Sequence, residues 1–490
     1  MHQGKIRDSK FFKWLSVVLV ITMMIAGFPV ATAVPAQAIG VATITPASGG
    51  TGISIDTTSG GGTGAWTALG SITGPTITET AVGQISVGVH ILSLAAGWEF
   101  NQSQNVTIGV GAVGGVATKL ALAASVVTPG VTTIAFQVMV PSSDDADPNL
   151  ANPSALNFSN IQVRPTGTTV NSVNMTHSGA AIAGVTNGTT NFGTVGSVGG
   201  AVSQITFQTQ PSTTATSGTA FAQQPIVVSQ DQFGNTRTGD TNTITLSAFT
   251  NAGCTLAATG NLTGTLNKAE VAGIASFAAN AVKYDKMETI YLKASDGTRE
   301  AHSGAIAVDH AAAAAMTIFT APVIGASVDV ILGTQPVIKV VDAADNPVDG
   351  ATVTASIAPG TGSGTLRTTL TAVTVANGKA TFADLGYNKI DAFTLRFSTG
   401  GLHVDSASLG PITQGAATKV RVETAANGSG TVVIAQSLVS GSNIVAYSIT
   451  RDQYDNFIAN AAADSWSLTG KTGGAADGNL VAAEDKKAPH

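Results

Sequence analysis

The sequence predicts an all-β chain: a larger N-terminal β-sandwich followed by tandem immunoglobulin-like sandwiches, the last one incomplete. Three observations predict it. First, short apolar or alternating runs recur between Gly, Ser and Thr turns, with no 3.6-residue periodicity between them. Second, an extended apolar run that ends in an Asp-Asn turn occurs three times, at Gln224–Asn235, Gln335–Asn346 and Tyr447–Asn456. Its first aspartates, Asp231, Asp342 and Asp452, lie 111 and then 110 residues apart, a period that fits a whole domain and is too long for a solenoid repeat of ~20–50 residues. Third, only 11% of the residues are charged while 43% are hydrophobic, too apolar for disorder. Thr and Ser hydroxyls can solvate a β surface in place of Lys and Glu, and Thr also favours strands.

Residues 1–38 read as a secretory leader. Lys5, Arg7, Lys10 and Lys13 precede a run of about fifteen mainly apolar residues, Trp14 to Phe28. Small-residue cleavage patterns follow at Ala31-Thr32-Ala33 and Ala36-Gln37-Ala38. The run is short for a membrane span of ~20 residues, so cleavage after Ala38 is expected, and no later stretch is apolar enough to cross a bilayer. The mature part then carries 19 basic against 28 acidic residues, a net of −9, which argues against a nucleic-acid partner. Cys254 is the only cysteine, so no intrachain disulfide forms, and a buried thiol is expected.

Residues 39–200 are expected to form one sandwich or jelly-roll-like domain, with strands around Ile53–Ile55, Ile85–Leu94, Val106–Val110, Thr132–Val140 and Leu156–Val163. Trp98 and Phe100 suit its core. The repeats follow: copy one over 202–310, copy two over 314–413 and copy three over 417–490. Each begins with a short strand (Ile205–Phe207, Met316–Ile318, Val420–Val422), followed by the motif strand and its turn. Copies one and two continue with a strand (Thr243–Ala248, Thr352–Ile357) and a hairpin written Gly-x-Ala-x-Phe at Gly273–Phe277 and Gly378–Phe382. Tyr284 and Tyr387 come next at similar offsets. The alanine run Ala311–Ala315 is too short to nucleate a helix and reads as a linker or strand lead-in. Copy three has no match to the hairpin or the later strands, so it reads as truncated, and residues 417–490 are expected to fold poorly by themselves.

An apolar strand, then Asp-x-x-Gly-Asn or Asp-x-x-Asp-Asn, a β-rich stretch and Gly-x-Ala-x-Phe resembles the bacterial immunoglobulin-like repeats of the invasin/intimin type, over about residues 202–470. That resemblance implies tandem sandwiches serving as stalks or adhesive arms on a cell surface. Residues 39–200 resemble, more loosely, the leading β domains of large prokaryotic surface proteins.

Chemical motifs are sparse. Gly109-Val110-Gly111-Ala112-Val113-Gly114 satisfies a dinucleotide fingerprint, but no acid follows before Asp144 and Pro129-Gly130 interrupts the second strand that the site requires. Gly470-Lys471-Thr472 echoes a phosphate loop, but Ser465 stands where its first glycine belongs. Asp144, Asp145, Asp147 and Asn149 place oxygen ligands at alternate positions, a pattern that could hold Ca²⁺, although the glycine and terminal Glu of an EF-hand are missing. The Asp-Asn turns are explained by side chains that cap their own backbone. His90, His177, His302, His310 and His403 read as isolated, without zinc spacing.

The expected function is therefore a non-enzymatic, exported surface or secreted protein, its modules acting as stalk, adhesive arm or envelope element. Other surface proteins, host or matrix components, or glycans are the expected partners. The alternative is a carbohydrate-binding accessory of a secreted polysaccharide-degrading enzyme. Trp66, beside the flexible run Gly60–Gly64, is the one candidate for an exposed stacking platform. No cofactor other than a possible Ca²⁺ is expected.

Overall fold

The computed structural model describes residues 40–69, 74–114, 117–142 and 152–481. The leader, the acidic cluster Asp144–Asn149 and the charged tail after Val481 lie outside the described residues. The chain divides into two compact units, residues 1–200 and 201–490. Among the described residues all regular structure is strand apart from two short 3₁₀ turns, and no helix is long and apolar enough to cross a membrane.

The first unit is built on two main sheets. A five-stranded sheet runs in the order Thr43–Thr45, Thr76–Thr78, Ser154–Ser159, Val106–Ala112, Val126–Val127. A six-stranded sheet runs Thr51–Ser54, Asn191–Val198, Ser172–Gly179, Gly88–Ser93, Thr133–Val140, Ala121–Leu122. A small third sheet joins Thr67–Ala68, Gln162–Pro165 and Trp98–Phe100. Alternation does the sorting: in Thr133–Val140 the side chains of Ile134, Phe136 and Val138 are buried and those between them are exposed. Ile77, Leu92, Trp98, Phe100, Phe158 and Phe192 complete one hydrophobic core.

In the second unit, two successive segments repeat one strand plan. In copy one a three-stranded sheet pairs Ile226–Gln230 with Gln204–Thr209 on one side and Ile274–Ser276 on the other. In copy two Val337–Val341 pairs likewise with Ala315–Thr320 and Lys379–Thr381. The facing sheets are centred on the antiparallel pairs Thr243–Phe249 with Thr289–Ser295 and Thr352–Ile357 with Leu395–Thr399. Each segment encloses its own core, Val227, Phe277 and Leu292 in copy one and Ile338, Phe382 and Phe397 in copy two. Ala315 opens a strand, so the alanine run is a lead-in.

Among the described residues copy three has the first sheet only. Lys419–Glu423 pairs Tyr447–Arg451, and the other edge of Tyr447–Arg451 is taken by Phe457–Asn460, the segment directly after the turn. In copies one and two that edge belongs to the Gly-x-Ala-x-Phe strand. Trp466 is 41% exposed and lies outside any strand.

Candidate functional site

The three Asp-Asn turns share one geometry. The amide of the first Asp donates to the carbonyl of the Asn, at 3.0, 2.9 and 3.2 Å for Asp231, Asp342 and Asp452. The residue before the Asn donates back to the carbonyl of the first Asp and has a left-handed backbone: Gly234 at φ 84°, Asp345 at 61° and Asp455 at 67°. That conformation explains why only Gly or Asp stands there, since a short polar side chain or none tolerates it. One carboxylate oxygen of each first Asp accepts the amides two and four residues on, at 2.8 to 3.0 Å.

Burial works against the Asp342 carboxylate, but the amides of Ala311, Ala344 and Asn346 and the Asn346 side chain outweigh it and hold its pKa below the usual range. Asp452 is held low in the same way, by Asn456, Gly415 and Tyr454.

Each complete copy also carries a tyrosine loop, Tyr284-Asp285-Lys286-Met287-Glu288 and Tyr387-Asn388-Lys389-Ile390-Asp391. The Tyr284 hydroxyl donates to Glu288 and accepts from the Gly260 amide. The Tyr387 hydroxyl donates to Asp391 at 2.7 Å and accepts from the Gly364 amide at 2.8 Å. Burial, reinforced by these acids, raises both phenols, Tyr387 to about 12, so both are neutral donors.

The histidines are not all isolated, contrary to expectation. His90 and His177 sit on adjacent strands of the six-stranded sheet, where Gly179 pairs with His90 and His177 with Leu92, so the two side chains meet diagonally. His90 Nδ1 lies 3.0 Å from His177 Nε2, both rings are fully buried, and Phe136 and Phe192 stack on them. The chain of contacts ends on the Ser86 carbonyl at 2.8 Å and on Asn187 Oδ1 at 2.8 Å. Two acceptors at the ends leave two neutral rings one proton short for three contacts. Burial nevertheless lowers both pKa values, which leaves the pair neutral at pH 7.

Glu79 is a second buried group that the sequence did not flag. Its carboxylate accepts from the amides of Ile85 and Ser154, each at 2.8 Å, and from the Ser142 hydroxyl at 2.5 Å. It thereby fixes Ser142 and Ser154, which flank the segment carrying Asp144, Asp145, Asp147 and Asn149.

The remaining candidates are placed as follows. Trp66 is half-buried, and the Arg164 guanidinium lies 3.9 Å from its ring centre while pairing with Glu99 at 2.6 Å, so one face of the indole is already stacked. Gly109 and Gly111 lie inside strand Val106–Ala112, paired with Asn157 and Ala155, so no phosphate-cradling turn forms there. Lys471 is paired with Asp477 at 2.5 Å. Cys254 is buried and its thiol pKa is raised by burial, the state of an unreactive cysteine. No group of three or more metal-ligating side chains occurs among the described residues.

No protein-family model matches the sequence, and no curated protein matches it. Among solved structures, invasin, described as a bacterial integrin-binding protein, is similar at 12% identity and TM-score 0.29, over 80% of this chain and 63% of its own. Domains 1–6 of the surface layer protein SbsC are similar at 10% identity and TM-score 0.22, over 79% of this chain and 58% of their own. The FN1–FN3 domains of chicken CNTN1 follow at 9% identity and TM-score 0.15. The chain spans less than two thirds of the invasin and SbsC structures.

Proposed function

We propose that this chain is a non-enzymatic, exported surface protein whose tandem β-sandwich modules serve as a stalk, adhesive arm or envelope-structural element. We place its modules at 39–200, 202–310, 314–413 and 417–490, behind a leader at 1–38. The observation that carries the reading is repetition: two successive sandwiches share one strand plan and separate cores, and a third segment restarts it with the same turn. Repeating a complete fold along one chain extends reach, a mechanical purpose that needs no reactive site. The most unusual side chains, the buried histidines, glutamates and tyrosines, are occupied with internal hydrogen bonds in support of the fold. The invasin/intimin type is the family pattern this reading follows, and proteins or glycans of the cell surface are its partners.

The test is to locate the chain in the organism that makes it. N-terminal sequencing of the mature protein, combined with protease shaving of intact cells, should give a chain starting at Ile39 that is cut from outside. A chain retaining residues 1–38 and protected inside the cell would refute the proposal. For the glycan-holding alternative, Trp66→Ala should abolish binding to a polysaccharide array, and unchanged binding removes Trp66 from consideration.

A further inference from the structure

The Asp-Asn turn of one copy is seated on the tyrosine loop of the copy before it. Asn346 of copy two is fully buried. Its Nδ2 donates to Ser217 Oγ and to the Asp285 carbonyl, both at 2.8 Å, and its Oδ1 accepts from the Met287 amide at 2.8 Å, all three in copy one. The second carboxylate oxygen of Asp342 accepts from the amide of Ala311, in the connector between the copies, at 2.9 Å. The next junction repeats this in kind. Asn456 Nδ2 donates to the Asn388 carbonyl at 3.0 Å, and Asp452 accepts from the connector amide of Gly415 at 3.1 Å. Asp285 and Asn388 each directly follow the loop tyrosine, so the two asparagines reach equivalent carbonyls. Tyr454, inside the third turn, adds a hydroxyl that accepts from Arg367 of copy two at 2.6 Å.

We propose that these two motifs are the halves of a module coupling. The Asp-x-x-(Gly/Asp)-Asn turn is the plug, and the Tyr-(Asp/Asn)-Lys-x-(Glu/Asp) loop is the socket, whose partner is a further module of the same kind. The division of labour is chemical. The Asp holds the connector through a charge-assisted bond and shapes the turn, while the Asn, with a donor and an acceptor on one amide, matches the exposed carbonyl and amide of the neighbouring loop. The tyrosine, tied to an acid four residues on and to a glycine amide, keeps that loop in shape. Two modules joined this way are held in one relative orientation by hydrogen bonds that cross the junction. The inference concerns coupling alone and holds wherever the chain resides.

The test is amide hydrogen exchange on the full chain. In Asn346→Ala the Met287 amide loses its acceptor and should exchange about tenfold faster, as loss of one buried hydrogen bond predicts. The core amides of Leu292 and Phe397 should keep their protection. Asn235→Ala, the same change in the first turn, should leave Met287 as it was. Should Asn346→Ala unfold copy two, Ser217→Ala in copy one leaves the turn of copy two whole and should still speed Met287 about threefold. An unchanged Met287 amide in both variants, or one that speeds up only in step with the core of copy two, would overturn the coupling and leave the Asn as a stabiliser of its own turn.

Discussion

Two buried glutamates, Glu79 and Glu270, make opposite contributions for one reason, the number of donors that reach them. Glu79 accepts two amides and a hydroxyl, so Glu79→Gln would aim an NH₂ group at existing donors. That variant should cost about 2 kcal/mol in chemical denaturation at pH 7. Glu270 accepts only the Ser229 hydroxyl, and its other oxygen, though buried, has no partner among the described residues. Burial therefore raises its pKa, helped by Asp240 and Asp296 against the bond from Ser229. A raised carboxyl pKa favours the fold below the ordinary carboxyl pKa and loses that contribution as pH rises through the folded value. Glu270→Gln should accordingly stabilise copy one at pH 7, by about 1 kcal/mol, and flatten its pH dependence above the ordinary carboxyl range. Equal destabilisation by both substitutions would contradict this assignment. Neither glutamate was singled out in the sequence, because the donors of Glu79 come from as far as residue 154 and no spacing encodes them. The turn residues were legible because Asp231, Asp342 and Asp452 act on amides two and four positions away.

At the scale of single elements, the hairpin Gly-x-Ala-x-Phe was readable because each fixed letter answers a local demand. Gly273 and Gly378 have φ of 74° and 68°, and a Cβ would stand 2.3 Å from the Arg237 carbonyl and 2.4 Å from that of Val340. Gly378→Val is expected to cost at least 2 kcal/mol, seen as a lower urea midpoint with an unchanged slope. Ala275 and Ala380 are fully buried in the core, and the closing phenylalanines are its plugs. Phe382 lies 5.4 Å from the ring of Phe397, and Phe382→Ala should cost about 3–4 kcal/mol by the same assay. Among the described residues copy three shows no such hairpin, and what takes its place was not foreseen. With no Gly-x-Ala-x-Phe strand to pair with, Tyr447–Arg451 takes Phe457–Asn460 on that edge, and backbone pairing is indifferent enough to side chains for this to succeed. The histidine pair was illegible for the converse reason. His90 and His177 lie 87 residues apart in sequence, on strands whose register is set by the whole sheet.

For the whole molecule, acid should act in two separate windows. His90 and His177 titrate below the ordinary imidazole pKa, so the unfolded chain binds protons more readily, and the first unit is at full stability above about pH 6.5 and loses it as pH falls. Asp342 and Asp452 are depressed carboxylates, whose contribution to the second unit holds down to about pH 4 and is lost only below it. Thermal unfolding at pH 5 should therefore show the first unit shifted down while copy two is nearly unmoved, and His177→Gln should remove part of that shift. Fold class and the repeat period were legible from composition, alternation and spacing. The coupling between copies was not, because an Asn that caps its own turn and an Asn that grips a neighbouring module are written identically. The modular account is tested most directly by pulling the full chain from its two ends in a single-molecule force experiment. It predicts separate rupture events for copies one and two, each releasing about a hundred residues, or about 30–35 nm at up to ~3.6 Å per residue. One event releasing residues 201–490 together, or a featureless extension, would contradict it.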